Sequence, residues 1–234
     1  MPLIDEAEPL AELLRAAREG RSPVVPERGG ASGSVPSPYP QAPAGTRRKE
    51  PAATPLTVDE VLRRRTSVSR FAAEPLSGDV LDQVRRSGLA AERRQWPYES
   101  HGDVGITVAV AAYRVDGLAP GLHLYGDSGN GDPRVTVDVA DWLRLLQVKY
   151  ADAPALLLVC GDLDAACAVH GAAGYPHVLT RCGHAGYAAL LSAVSLGLAA
   201  APFGFTVPWP RSVRGLCGDW NRHHLFTVAL GAGG

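Results

Sequence analysis

Eight prolines fall between Ser22 and Pro55, scattered among glycine, serine and alanine, and this tract restricts the fold more than any other feature. Proline fixes φ and removes a backbone donor. A segment so poor in large apolar side chains buries too little surface to offset the entropy of ordering. The expected organisation is therefore a short helix in residues 1–20, a Pro/Gly/Ser-rich linker over 21–56, and one folded domain over 57–234. In the first of these, "AEPLAELLRAARE" (7–19) places Leu10, Leu13, Leu14 and Ala17 on one helical face, which needs its own domain or a partner to cover it.

Hydrophobic residues make up 46% of the 234, enough for a sizeable core. A net charge of -1 argues against general nucleic-acid binding, which calls for a large basic excess. Lysine occurs only at Lys49 and Lys149, so nearly all the positive charge is arginine. The cysteines, Cys160, Cys167, Cys182 and Cys217, form no C-x-x-C pair and no zinc-spaced cluster. They read as free thiols behaving like small hydrophobes, and no metal is expected. "MPLIDEAEPL" lacks the basic and apolar regions of a secretory signal, and no apolar run reaches a membrane-spanning length. The expectation is a soluble, cytoplasmic, reduced protein with neither nucleic acid nor membrane as partner.

Within the domain, Thr57 and Glu60 form a T-x-x-E capping box at the start of "TVDEVLRRR". Ser77 is expected to cap a second helix that buries Val80, Leu81 and Val84. "GITVAVAAYRV" (105–115) reads as one β-rich run, followed by the turn "DGLAPG" and the short strand "LHLY". "VADWLRLLQ" is a helix, and "APALLLVCG" is a strand buried on both faces. The longest helix is expected at about 177–198, with a short one near 209–217 and a terminal strand in "HLFTVALG". Irregular alternation without βαβ spacing favours α+β, and no G-x-G-x-x-G or P-loop is present.

The stretch "RRRTSVSRF" (63–71) supplies what a terminal phosphate needs, guanidinium forks beside short hydroxyl donors. On the residues alone, a solvated basic helix end explains it equally well. His223-His224 has no third ligand and reads as surface, and His184 as a packing residue.

Arg65, Ser67, Arg70 and Phe71 resemble the R-x-S-x-R-x-F opening of the nitroreductase superfamily. "YRVDGLAPGLHLYG" (113–126) and "GHAGYAALLSAVSLGLAAAPFGF" (183–205) resemble the hairpin and core helix of its SagB-type thiazole/oxazole-forming (azoline) dehydrogenases. Together these cover about residues 57–231. The resemblance implies a nitroreductase-like α+β fold, with a central, mostly antiparallel sheet flanked by helices, FMN and a dimer. It implies a dehydrogenase that oxidises azolines to thiazoles or oxazoles in a ribosomally synthesised peptide. Partners would be the modified precursor peptide, a second copy or a paralogous dehydrogenase, and a cyclodehydratase complex. By position, Arg65, Thr66 and Ser67 would surround the FMN phosphate and ribityl chain. Ser100 falls near a P-S-x-G segment, and Phe203 and Gly204 fall where backbone faces the isoalloxazine edge.

Several positions depart from the family pattern. Ser69 stands where the second arginine belongs, leaving Arg70 one step out of register. The catalytic Lys-Tyr pair falls on Val169 and His170, an arginine falls on Ala173 and a glutamate on Arg181, whereas Tyr175 is kept. His170 is then the candidate base, with Tyr175 beside it. The alternative is a catalytically degenerate partner or scaffold subunit of a peptide-modifying complex. Lys149-Tyr150 precedes the buried strand, while the family pair follows it.

Overall fold

The protein is described from a computed structural model, which covers residues 56–68, 70–125, 135–137, 140–149, 152–204, 208–209 and 222–233. The expected first helix and linker, Tyr150, the short helix near 209–217 and Cys217 lie outside these residues.

Helix α1 (Val58–Arg64) opens on the expected capping box. The Glu60 carboxylate accepts the Thr57 N–H at 2.8 Å, and the Thr57 hydroxyl accepts the Glu60 N–H at 3.3 Å. Helix α2 (Gly78–Gln95) is followed by the short α3 (Tyr98–His101). Ser77 occupies the N-cap position of α2, but its side chain makes no capping hydrogen bond. Its backbone belongs instead to β1 (Leu76–Ser77), which pairs in parallel with β3 (Val115–Asp116).

The run 105–115 is thus divided rather than continuous. Its first part is β2 (Thr107–Ala112). At Tyr113 and Arg114 both backbone N–H groups turn to the Pro154 carbonyl, at 3.0 and 3.1 Å, and the chain leaves the main sheet for β1. That sheet continues with β4 (Gly121–Leu124), β5 (Val135–Val137), β6 (Ala155–Asp162), β7 (Ala199–Phe203) and β8 (Arg222–Gly231). Its order is β5-β4-β2-β6-β8-β7, with every adjacent pair antiparallel. Strand β7 lies at one edge and places Pro202 opposite Val228.

Side chains alternate faces along a strand, and here both faces are covered. Val108, Val110, Leu157, Val159, Val228 and Leu230 pack on one side with α2 and α6 (Gly174–Ser195). Ala109, Ala111, Leu156, Leu158, Cys160 and Ala229 pack on the other with Leu143 and Leu146 of α4 (Ala140–Lys149) and with Trp209. Two-sided burial is why "ALLLVC" carries no polar alternation. Each such Leu or Val contributes about 1.5–3 kcal/mol relative to exposure.

Helix α5 (Leu163–His170) follows β6 directly. The Asp162 carboxylate accepts the Ala165 N–H at 2.9 Å, and a 3₁₀ turn (Gly171–Ala173) leads into α6. The long helix therefore starts three residues before the expected 177 and ends at Ser195. Glycine permits the tight turn: a Cβ on Gly174 would stand 2.6 Å from Ala166 C and Cys167 N. Small residues also let α6 lie between α2 and the sheet. A Cβ on Gly88 would meet the Ala185 carbonyl at 2.6 Å, and one on Gly186 would meet Phe226 Cδ1 at 2.3 Å.

Two side chains differ from expectation. His224 is buried, with its Nε2 2.6 Å from the Thr227 hydroxyl, whereas its neighbour His223 is exposed. Cys167 is exposed on α5, unlike the buried Cys160 and Cys182. Burial raises both of those buried thiols. Among the described residues, no helix is long and apolar enough to cross a membrane.

Candidate functional site

Four helix ends meet at one corner of the domain. Helix α5 stops where Gly171 takes φ +58, a left-handed value that suits glycine. Gly102, at the end of α3, takes φ +68 and lies under Val169, whose Cγ1 would stand 2.6 Å from a Cβ placed there. The corner joins Ser100, His101 and Gly102 of α3's end to Val169 and His170 of α5. Glu92 and Trp96 from the end of α2, and His177, Arg181 and His184 from α6, complete it.

Its electrostatic centre is a salt bridge with no solvent exposure on either side chain. Arg181 Nε donates to Glu92 Oε1 at 2.6 Å, its second amino group lies 2.5 Å from the same oxygen, and Nη1 donates to the Gly102 carbonyl at 2.9 Å. Burial raises the Glu92 carboxyl above its ordinary value, and the hydrogen bond and charge of Arg181 oppose that rise. Arg181 thus ties α6 to α2 and to Gly102.

The His170 and His177 rings lie 3.9 Å apart between centroids, tilted by 41°. Both Nε2 atoms are buried without a hydrogen-bond partner. His177 is held below its ordinary pKa by burial first, then by the charges of His170, Arg181 and His101. His184 packs edge-on to Trp96 at 4.8 Å, as a packing residue should, and burial lowers it as well. The Ser100 hydroxyl lies 2.9 Å from His101 Nδ1 and 3.3 Å from the Pro97 carbonyl. Val169 is 47% exposed, and Tyr175 is 54% exposed on the first turn of α6. Among the described residues, no group of three His, Cys, Asp or Glu side chains could hold a metal ion.

Not all sequence candidates gather here. Strand β8 serves as a ruler, with Arg222 opposite Asp162 near the corner, Thr227 opposite Phe203, and Gly233 bridged to Phe71. At about 3.3 Å per residue these levels are about 16 and 20 Å apart. Ser100 and His170 share the corner, Phe203 and Gly204 stand midway, and the segment after Arg65–Ser67 is anchored at the far end by Phe71 and Ala72. Lys149 precedes β6 while His170 follows it, so the eight-residue strand, about 23 Å long, separates them.

Arg65 is half-buried at the C-cap of α1, and Thr66 and Ser67 are exposed beside it. The Arg65 N–H donates to the Val61 carbonyl at 2.9 Å, but none of the three side chains has a hydrogen-bond or ion-pair partner among the described residues. Such an uncommitted donor set, one guanidinium and two hydroxyls, fits a phosphate group. His101, His177 and the Glu92–Arg181 bridge were not singled out as site residues. A fold-dependent cluster leaves no periodic trace, and only the odd Arg181 signalled it.

No protein-family model and no curated protein matches the sequence. Solved structures do match by shape. A protein of Anabaena variabilis described as a nitroreductase aligns with TM-score 0.59 and 20% identity, over 76% of this chain and 38% of its own. One of Ralstonia eutropha with the same description aligns with TM-score 0.58 and 17% identity, over 81% of this chain and 87% of its own. The chain thus spans well under half the length of the Anabaena structure and most of the Ralstonia one. The described residues have an α+β, nitroreductase-like fold, an antiparallel sheet flanked by helices.

Proposed function

We propose that this domain is an FMN-dependent oxidoreductase that oxidises azolines to thiazoles or oxazoles in a ribosomally synthesised peptide. The observation that carries the reading is the uncommitted donor set of Arg65, Thr66 and Ser67 on a nitroreductase-like fold. Arg65 would neutralise the phosphate while the two hydroxyls donate to it or to the ribityl chain. Phe203 and Gly204 would offer backbone to the ring edge, where Gly204 has no atom within 4 Å of a Cβ position. When bound, FMN would supply the two-electron acceptor for the hydride. His170 would take the ring proton from the azoline, with Tyr175 and Ser100 orienting the peptide.

The full chain incubated with FMN and desalted is expected to keep the yellow flavin bands. A colourless protein overturns the reading. A flavin-loaded protein should then remove two hydrogens per azoline ring, read by mass spectrometry.

A second reading has its own support. Val169 at the lysine position cannot move a proton, and Arg181 is committed to Glu92. Both suit a non-catalytic partner or scaffold of a peptide-modifying complex, which would bind the peptide or a paralogous dehydrogenase without FMN. Self-association also has a candidate surface. Tyr175, Leu179 and Tyr187 are exposed along α6 at four-residue spacing, with Gly183 between them.

A further inference from the structure

We propose that α5 is an acid-released flap, held at its end by the stacked neutral rings of His170 and His177 and let go when those rings take protons from solvent. Few buried side chains fasten it. Among its eight residues only Ala166 is buried, and Leu163 packs partly buried at its start. Cys167 and Val169 are exposed. Beyond His170 the chain runs through Gly171–Ala173 to Gly174 without a large side chain. Gly171 takes φ +58, and nothing stands within 4 Å of a Cβ placed on it. Such a turn of small residues is suited to act as a hinge.

The two rings meet at 3.9 Å between centroids, tilted by 41°. Each has its Nε2 shut away from water and without a hydrogen-bond partner. A neutral imidazole keeps a lone pair on one nitrogen, whereas an imidazolium bears N–H on both. A protonated ring would therefore aim a charged donor where no acceptor stands, at the full cost of desolvation. Protonating both rings adds the repulsion of two cations in contact. Swinging α5 away on its hinge relieves both, because each Nε2–H then meets water. The Glu92–Arg181 bridge joins α6 to α2 without involving α5, so the rest of the corner keeps its place.

The surroundings resist protonation of the closed form. Burial lowers His177 first, and the charges of His170, Arg181 and His101 lower it further, with no acid among the groups that act on it. Neighbouring carboxylates are engaged elsewhere. Glu92 on α2 is held by Arg181, Asp103 after α3 accepts the Gly105 N–H at 2.8 Å, and Asp162 before α5 accepts the Ala165 N–H opposite Arg222 of β8. Asp164 and Cys167 on α5, Glu99 on α3 and Tyr175 on α6 are exposed. Arg93 lies against Tyr98, and His184 packs on Trp96. The open form, with its rings in water, recovers the ordinary affinity for protons. Opening is therefore favoured as pH falls below about 6.5.

The test is amide hydrogen exchange of the full-length chain without added flavin, at pH 7.5 and 5.5. Rates are compared as protection factors, which removes the intrinsic effect of pH on exchange. A histidine that takes its proton only in the open form makes opening about tenfold more frequent over that interval. Amides of α5, with those of Gly171 and Gly174, should lose about that factor. Their loss should be insensitive to low urea, because releasing one short helix exposes little surface. Strand β6, which exchanges through global unfolding, should stay far better protected and respond to urea. Equal protection of α5 at the two pH values overturns the proposal, as does a loss that follows urea in the way β6 does. The double variant His170→Phe/His177→Phe keeps two flat rings without a proton site, and α5 should then be equally protected at both pH values. A loss that persists there also overturns the proposal. Should that variant not fold, the native comparison in urea decides alone.

Discussion

Arg181 and Glu92 meet as a fully desolvated salt bridge between α6 and α2, with the Gly102 carbonyl as a third partner. Removing one member leaves a buried charge without compensation, which costs about 3–5 kcal/mol. Glu92→Ala should lose about that much in urea unfolding. Replacing both residues by methionine should recover most of the loss, because a well-packed apolar pair avoids the desolvation cost.

Gly183 and Gly186 lie on one helix, yet alanine should act oppositely at the two. Nothing stands within 4 Å of a Cβ on Gly183, so Gly183→Ala should stabilise by about 0.5–1 kcal/mol through helix propensity. A Cβ on Gly186 would run into the Phe226 ring, and Gly186→Ala should lose about 1–3 kcal/mol. Thermal unfolding of the two variants checks the pair of signs.

Acid should weaken the fold before the carboxylates titrate. His123, His177 and His184 are all lowered from the ordinary value of 6.5, each by burial first. The unfolded chain then binds more protons than the folded one, so stability rises with pH. Their contribution is complete above about 6.5 and is lost as pH falls through the folded values. Glu92, raised by burial, acts with the opposite sign above its ordinary value of 4.5. Urea midpoints should drop between pH 7.5 and 5.5, and His177→Gln should flatten that slope.

If Arg65 anchors a phosphate, Arg65→Gln should weaken FMN uptake by roughly tenfold to a hundredfold, the worth of one charged hydrogen-bond partner. Equilibrium titration by flavin fluorescence measures it. Arg70→Gln, one step out of register with Arg65 and Ser67, should change uptake far less.

Leu179 is 39% exposed at the middle of the row formed with Tyr175 and Tyr187. Leu179→Arg should convert an associated species to monomer in sedimentation velocity, while leaving the circular dichroism unchanged. An unaltered sedimentation coefficient would remove this face as a self-association surface.

Elements with strong local signals were legible in the sequence. The capping box at Thr57 and Glu60, the two-faced burial of "ALLLVC" and the long helix all appear close to where pattern and propensity placed them. What escaped was set by partners distant in sequence. The break at Tyr113 depends on Pro154, and the burial of His224 depends on Thr227 and on the Trp209 ring beside it. The site was legible in part. Counting along the chain singled out His170 as a candidate and marked Arg181 as odd. The contact with His177 needs the 3₁₀ turn between α5 and α6 to fold one helix back beside the other.

The edge strand β7 carries one last implication, through Pro202 opposite Val228. A proline within a sheet is tolerated on an edge, with its nitrogen directed away from the neighbouring strand. The outward rim of β7 therefore lacks a donor where an incoming chain would need one. A stray strand, whether from a peptide substrate or from a misfolded copy, finds that border interrupted, which guards against uncontrolled ribbon growth along it.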